Sequence, residues 1–368
     1  MRVLILAPLH HPDELAAARA ATPPGESPPL FPPSQAQHFW QRALQALGHT
    51  VGAFYRSAPA LPIPPQIAGS RLVRGASQRF PRLNPDYRAR NARLLDAARR
   101  FRPDALLMAG DNEVIYPDTL ARLKAETGAT LVYMCGTSPI VFSHANERAA
   151  APLYDLVIAN DYYHGIQWRE LGARHMEALP MAACWPDFHH PYDLTDDERR
   201  AYACDVSFVG TLWPPNLYSR RVAALEALRE FDLSIWSVHT VPESLRPYLR
   251  GKALGEKMLR VLCGGTITVN PHGDFMLYGG NMRLFEAAAV GAFQIADDLP
   301  GVRQWFTPGE TIAVYRDPRD LRDQVAYYLT HPEERRRIAA AAQQHVYANH
   351  TYHQRMARIM GMVEELRA

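Results

Sequence analysis

The sequence predicts an α/β protein of two doubly wound parallel-sheet domains facing each other across a cleft. Three observations carry this. Short apolar runs alternate with helical stretches along the chain, the pattern of parallel sheets whose strands are buried on both faces. The alternation restarts at Asp205, after a polar run from Pro186 to Tyr202 that reads as a linker. The length, 368 residues, exceeds what one core comfortably holds.

In the first half, Arg2 to Pro8 is too short an apolar run for a signal peptide and reads as a buried strand. A loop with Pro23-Pro24, Pro28-Pro29 and Pro32-Pro33 follows, which neither helix nor strand interior tolerates. Ser34 caps a helix through Leu47, and Gly48-His49-Thr50 opens a strand at Val51–Tyr55. A helix over Tyr87–Arg102, strands at 104–109, 130–134 and 156–159, and helices over 117–127 and up to Leu171 continue the alternation; Leu179-Pro180-Met181 reads as the last strand. In the second half the strands are 206–210, 233–236, 267–270, 293–296 and 312–315. Helices cover 219–231, 254–262, 321–329, 333–348 and 354–366. The expected division is an acceptor-side domain over 1–190, a nucleotide-sugar domain over 191–348, and a helix over 349–368 that crosses back.

Hydrophobic residues make up 47% and charged residues 21%, ordinary for a globular protein. No apolar run approaches the ~20 residues of a membrane-spanning helix. Cys135, Cys184, Cys204 and Cys263 have no C-x-x-C spacing, which argues against a zinc site or disulfide framework and for a reducing cytoplasm.

The most informative stretch is Gly279-Gly280-Asn281-Met282-Arg283-Leu284-Phe285-Glu286, running to Gly291-Ala292 and an apolar strand. Two glycines end a turn and a helix starts. Its free amides and the positive end of its dipole suit a phosphate. Glu286, about one turn in, can accept hydrogen bonds from a ribose diol, and phosphate with ribose means a nucleotide. Together with Asp297-Asp298-x-Pro300-Gly301, Pro308-Gly309-Glu310, Val314-Tyr315-Arg316-Asp317-Pro318 and His350-Thr351-Tyr352, this run resembles the CgeB-like spore-maturation branch of the family 4-like glycosyltransferases. The resemblance covers Asp205 to the C-terminus well and the first half loosely. It implies the GT-B fold of two Rossmann-like domains. It also implies a helix gripping the diphosphate of a UDP- or GDP-sugar, Glu286 on the ribose, and retention of anomeric configuration. Of the E-x7-E pair usual in that family, the first position falls at Tyr278.

Further donor-side candidates are Gly210 at a strand end, Arg220 or Arg221 at the next helix start, Lys257, and the amides of Asn281 and Met282 beside Arg283 and Gly280. An arginine at a helix N-terminus is electrostatically unfavourable without an anion. For a base, the candidates are Asp111 and His144, which follow strand ends, with Glu113, His10 and His11 as further choices and His272 on the loop before the nucleotide helix. In the resembled branch the loop corresponding to Gly136–Pro139 often carries an acid; Thr137 and Ser138 stand there here. No D-x-D is present, so helix dipole and arginines would neutralise the leaving diphosphate, without metal or other cofactor.

Net charge is +2 but uneven: ten arginines and two acids between Arg71 and Arg102 give +8, against −6 for the rest. Arg88, Arg90 and Arg93 head this patch in the acceptor-side half, which fits an anionic acceptor: modified nucleic acid, a lipid-linked glycan or an acidic polysaccharide. The leading expectation is a glycosyltransferase. A degenerate GT-B fold acting as a surface- or coat-associated binding protein is the alternative. A dinucleotide oxidoreductase is disfavoured, because Ala7-Pro8-Leu9-His10-His11 stands where a G-x-G-x-x-G belongs.

Overall fold

The structure is a computed structural model. It describes residues 1–7, 16–17, 20–22, 36–56, 58, 60–61, 75, 81–136, 138–181 and 183–368. Two compact units divide the chain: Met1–Met181 with Met356–Ala368, and Ala182–Arg355.

The first unit is a parallel sheet in the order β2-β1-β3-β4-β5-β6. The strands are β1 (Arg2–Ala7), β2 (Thr50–Tyr55), β3 (Ala105–Ala109), β4 (Thr130–Cys135), β5 (Leu156–Ala159) and β6 (His175–Ala178). Every residue of β3, β4 and β5 is buried, as expected for strands covered on both faces. Helix α1 is Ala36–Ala46; α2 spans Pro85–Phe101, with Asn84 accepting from the amides of Asp86 and Tyr87 and Pro85 in the first turn. Helices α3 (Pro117–Thr127), α4 (Ala145–Ala149) and α5 (Tyr162–Glu170) follow. Tyr133, Tyr154 and Trp168 pack ring against ring in the core, with centroids 4.4 to 5.9 Å apart. The last strand is not at 179–181. Pro180 has no N–H for a ladder, and the Leu179 amide closes on the Ala159 carbonyl just beyond the strand, so β6 lies immediately before it.

The second unit repeats the plan in the order β12-β11-β10-β7-β8-β9. Helix α6 (Asp196–Tyr202), closed by a Thr195/Glu198 capping box, occupies part of the polar run expected to be linker. Then come β7 (Cys204–Val209), α7 (Ser219–Glu226), β8 (Leu233–Trp236), β9 (Leu249–Gly251), α8 (Glu256–Gly264), β10 (Gly265–Asn270) and α9 (Met282–Ala289). The unit closes with β11 (Gln294–Asp297), α10 (Pro300–Trp305), β12 (Ala313–Tyr315), α11 (Pro318–Thr330) and α12 (Pro332–Asn349). Strand β9 and helix α10 were not legible in the sequence. Helix α13 (Tyr352–Arg367) starts in the second unit and belongs to the first from Met356 onward. Among the described residues no helix is long and apolar enough to cross a membrane.

Strand order reverses between β1 and β3 in the first unit and between β10 and β7 in the second. Ligands of such sheets bind outside the carboxyl ends of the strands at these reversals. The ends are Ala7 and Ala109 in one unit, Val209 and Asn270 in the other.

Candidate functional site

In the second unit the glycine-rich turn is held by the chain's own backbone and side chains. Gly279 and Gly280 take φ of +93° and +132°, conformations closed to most side chains. Asn281 is the N-cap of α9: its Oδ1 accepts from the Leu284 amide at 3.2 Å, and it exchanges two side-chain hydrogen bonds with Asn270 at the end of β10. Gly301 donates to the Tyr278 carbonyl at 2.6 Å; a Cβ there would stand 2.6 Å from the Gly279 carbonyl oxygen.

His272 is the unexpected part. Its ring is fully buried. Nδ1 donates to Asp297 at 2.6 Å, while Nε2 accepts from the amides of Gly280 and Asn281 at 3.2 and 3.3 Å. Burial alone would raise the Asp297 carboxyl; the His272 ring and backbone amide outweigh it and hold the group below its usual range. With both nitrogens engaged, His272 is no catalytic base. The Asn281 amide, expected to cradle phosphate, is used by the protein itself.

What remains open at the start of α9 are the amides of Met282 and Arg283, which close on no described residue. Beside them Arg283 donates to Glu286 at 2.7 Å and to the Met258 sulfur, and reaches toward the Val209 carbonyl next to Gly210. The Glu286 side chain is 10% exposed and only its Oε2 is taken by Arg283. Lys257, half-buried at the start of α8, makes no hydrogen bond or ion pair with any described residue.

The two helix-start arginines are occupied. Arg220 donates to the carbonyls of Gly273, Asp274 and Met276. Arg221 donates to those of Pro271 and Thr211 and lies 4.8 Å over the Tyr218 ring. The anion that electrostatics requires at this helix start is Asp274, which accepts from the amides of Ser219 and Arg220 and from the Ser219 hydroxyl. Both side chains thus shape the loop, Arg220 with 41% of its side chain exposed. Tyr278 lies against Gly301 and donates to Gln304.

In the first unit the structure joins two residues the sequence could only name separately. His144 Nε2 meets the Asp111 carboxylate at 2.9 Å just past the carboxyl end of β3. The bond raises the His144 imidazole and lowers the Asp111 carboxyl from their ordinary ranges. The His144 amide is held by Glu147 at 2.6 Å, and buried Glu147 also accepts from Tyr133. Glu113 contributes its carbonyl to Asn146. Ser138 donates to Gln167. His10, His11, Thr137, the proline-rich loop and Arg71, Arg74 and Arg79 lie outside the described residues.

The arginine patch separates into two kinds. Arg88 and Arg93 are exposed on α2. Arg90 is not part of a free face: it pairs with buried Asp86 and donates to the Arg56 carbonyl at 2.7 Å, so it ties α2 to the end of β2. Sequence reading gave no role to Arg56, Glu147, Asp274 and Asp297: Arg56, Asp274 and Asp297 act on partners far along the chain, and Glu147 caps a helix of only five residues. Among the described residues no three His, Cys, Asp or Glu converge as a metal-holding group.

The glycosyl transferase-like family matches residues 219–361. Spore protein CgeB of Bacillus subtilis is 23% identical over 266 residues, 66% of this chain and 77% of that protein. Sucrose-phosphate synthase of Thermosynechococcus elongatus superposes with a TM-score of 0.63 at 13% identity, covering 99% of this chain and 98% of that one. HepE of Anabaena, solved with UDP and glucose, gives 0.61 at 13% identity, covering 98% and 100%. HepE has also been solved with UDP-glucose.

Proposed function

From the premise that this chain is a CgeB-like glycosyltransferase of the GT-B fold, we propose that it moves a sugar from a nucleoside-diphosphate sugar to a hydroxyl acceptor. The observation that carries the proposal is the start of α9. Two unclosed amides sit at the positive helix end, with Arg283 and Glu286 beside them, at the strand-order reversal of the second unit. The diphosphate takes the amides of Met282 and Arg283, with Arg283 or Lys257 as counter-charge; the ribose takes Glu286. HepE's complexes with UDP and UDP-glucose favour UDP over GDP as the carrier.

The reaction breaks the bond from the anomeric carbon to the diphosphate oxygen and forms one to the acceptor oxygen. The acceptor proton goes to a base, and the His144–Asp111 pair is the best-placed acid–base group of the first unit. Charge on the leaving diphosphate is met by helix dipole and cations, without a divalent metal. The family resemblance favours retention. Exposed Arg88 and Arg93 favour an anionic acceptor.

A panel of nucleotide sugars tested by thermal shift checks the donor. A ligand at 100 times its Kd stabilises by about 2.7 kcal/mol. Turnover should persist in excess chelator; loss restored by magnesium or manganese would contradict the metal-free reading. The second reading, a catalytically degenerate binding protein, is favoured by Tyr278 turning to Gln304 where the family has an acid. Detectable nucleotide-sugar hydrolysis rules that reading out.

A further inference from the structure

Arg56 follows the last residue of β2 and is 2% exposed. Its Nη1 donates to the Ala109 carbonyl at 2.6 Å, and its Nη2 donates to the carbonyls of Gly110 and, at 2.9 Å, Asp111. Three consecutive carbonyls face one guanidinium only where the chain turns sharply. The turn places Asp111 at φ 63°, left-handed backbone that costs a non-glycine residue on the order of 1 kcal/mol and that Asp tolerates better than most. In this conformation the Asp111 carboxylate reaches His144. Among the described residues no carboxylate lies within ion-pair distance of Arg56, although Glu147 and Asp111 are close enough to favour its charge. Burying a guanidinium is costly, and an apolar residue would fill the same space more cheaply. What an apolar residue cannot supply is the planar fork of donors that fits this turn.

We propose that Arg56 is the positioning residue of the Asp111–His144 pair, holding Asp111 in its left-handed conformation so that the carboxylate orients the imidazole. The inference rests on the reading of that pair as the acid–base group, and its test separates the two.

The imidazole of His144 is followed by NMR titration in wild type, Arg56→Lys, Arg56→Met and Asp111→Asn. The charged groups facing it are Asp111, Glu113 and Glu147, with Arg56 behind the turn. In wild type it should titrate above the ordinary 6.5. If Arg56 acted only as a nearby charge, Arg56→Met would raise the His144 titration and Arg56→Lys would leave it unchanged. Positioning predicts the opposite sign: both variants should fall toward the Asp111→Asn value. Unchanged or raised titration in the folded variants overturns the proposal.

Wild type supplies a measurement that needs no variant. The Arg56 Nη protons should exchange with water far more slowly than those of exposed Arg88, and fast exchange contradicts the fork. In turnover, Arg56→Lys should lower kcat about as far as Asp111→Asn does and leave the donor KM unchanged. A fallen titration with unchanged turnover upholds the positioning and removes the pair from its role as base.

Discussion

Glu286 shows how far a single residue can be argued from both directions. Spacing alone put a carboxylate one turn into a glycine-preceded helix; the structure adds that it is nearly buried, with one oxygen on Arg283 and the other still available. Charge-assisted hydrogen bonds are worth about 1.5–3 kcal/mol. Glu286→Gln, which keeps the shape and an oxygen facing Arg283 but removes the charge, should therefore weaken UDP binding at least tenfold in a calorimetric titration made where the variant is folded. The Asp111–His144 pair makes a second prediction, about stability. The raised imidazole contributes fully below 6.5 and loses its contribution as pH rises through its elevated folded value. The lowered carboxyl contributes above 3.8 and loses its contribution as pH falls through its depressed folded value. Wild type should thus exceed Asp111→Asn in unfolding temperature most between about pH 4 and 6.5, and the gap should close on either side. A gap that grows above pH 8 would contradict the pairing. His272 was misread because a histidine among loop glycines carries no sign of its partner; Asp297 stands 25 residues on and only the fold brings them together. For Arg220 the electrostatic premise held, since an anion was required, but Asp274 supplies it from 54 residues away.

At the scale of elements, the turn before α9 is held by contacts that never touch a ligand. His272→Ala would leave the buried Gly280 amide and the Asn281 amide without their acceptor, at about 1–3 kcal/mol for each group left unsatisfied. Hydrogen exchange at both amides should accelerate and UDP affinity should drop, although His272 contacts no part of the ligand. Gly301→Ala should do more damage, because its Cβ must displace two backbone carbonyls of the turn, those of Tyr278 and Gly279; a marked fall in unfolding temperature is expected. The regular elements were legible where periodicity and caps agreed, as for α3 with its Pro117 start and Gly128 stop. They were illegible where the signal was short. Strand β6 alternates weakly and precedes a proline, and β9 is three residues long.

For the whole molecule, the two-domain α/β plan followed from the restart of the strand–helix pattern at Asp205, and both sheets are parallel throughout. The excess of arginine between Arg71 and Arg102 was visible in the sequence, but its meaning was not. Arg82 pairs with Asp118, Arg90 with Asp86 and Arg99 with Glu126; of the three arginines singled out in the sequence, Arg88 and Arg93 are the exposed ones and so the residues to test. Replacing both with Glu should raise the acceptor KM and spare donor affinity. The effect should shrink as salt rises, because exposed charges are screened beyond about 8–10 Å at physiological ionic strength. Equal KM values at low salt would make this face merely solvated. The central claim is that the second unit holds a nucleoside diphosphate at the start of α9. Its most direct measurement is a UDP titration of the isotope-labelled full chain followed by backbone amide shifts. Saturable shifts centred on Met282 and Arg283, abolished or weakened at least tenfold by Glu286→Gln, are the predicted result. Saturable shifts that bypass α9, or no binding of UDP or GDP at millimolar concentration, would contradict it.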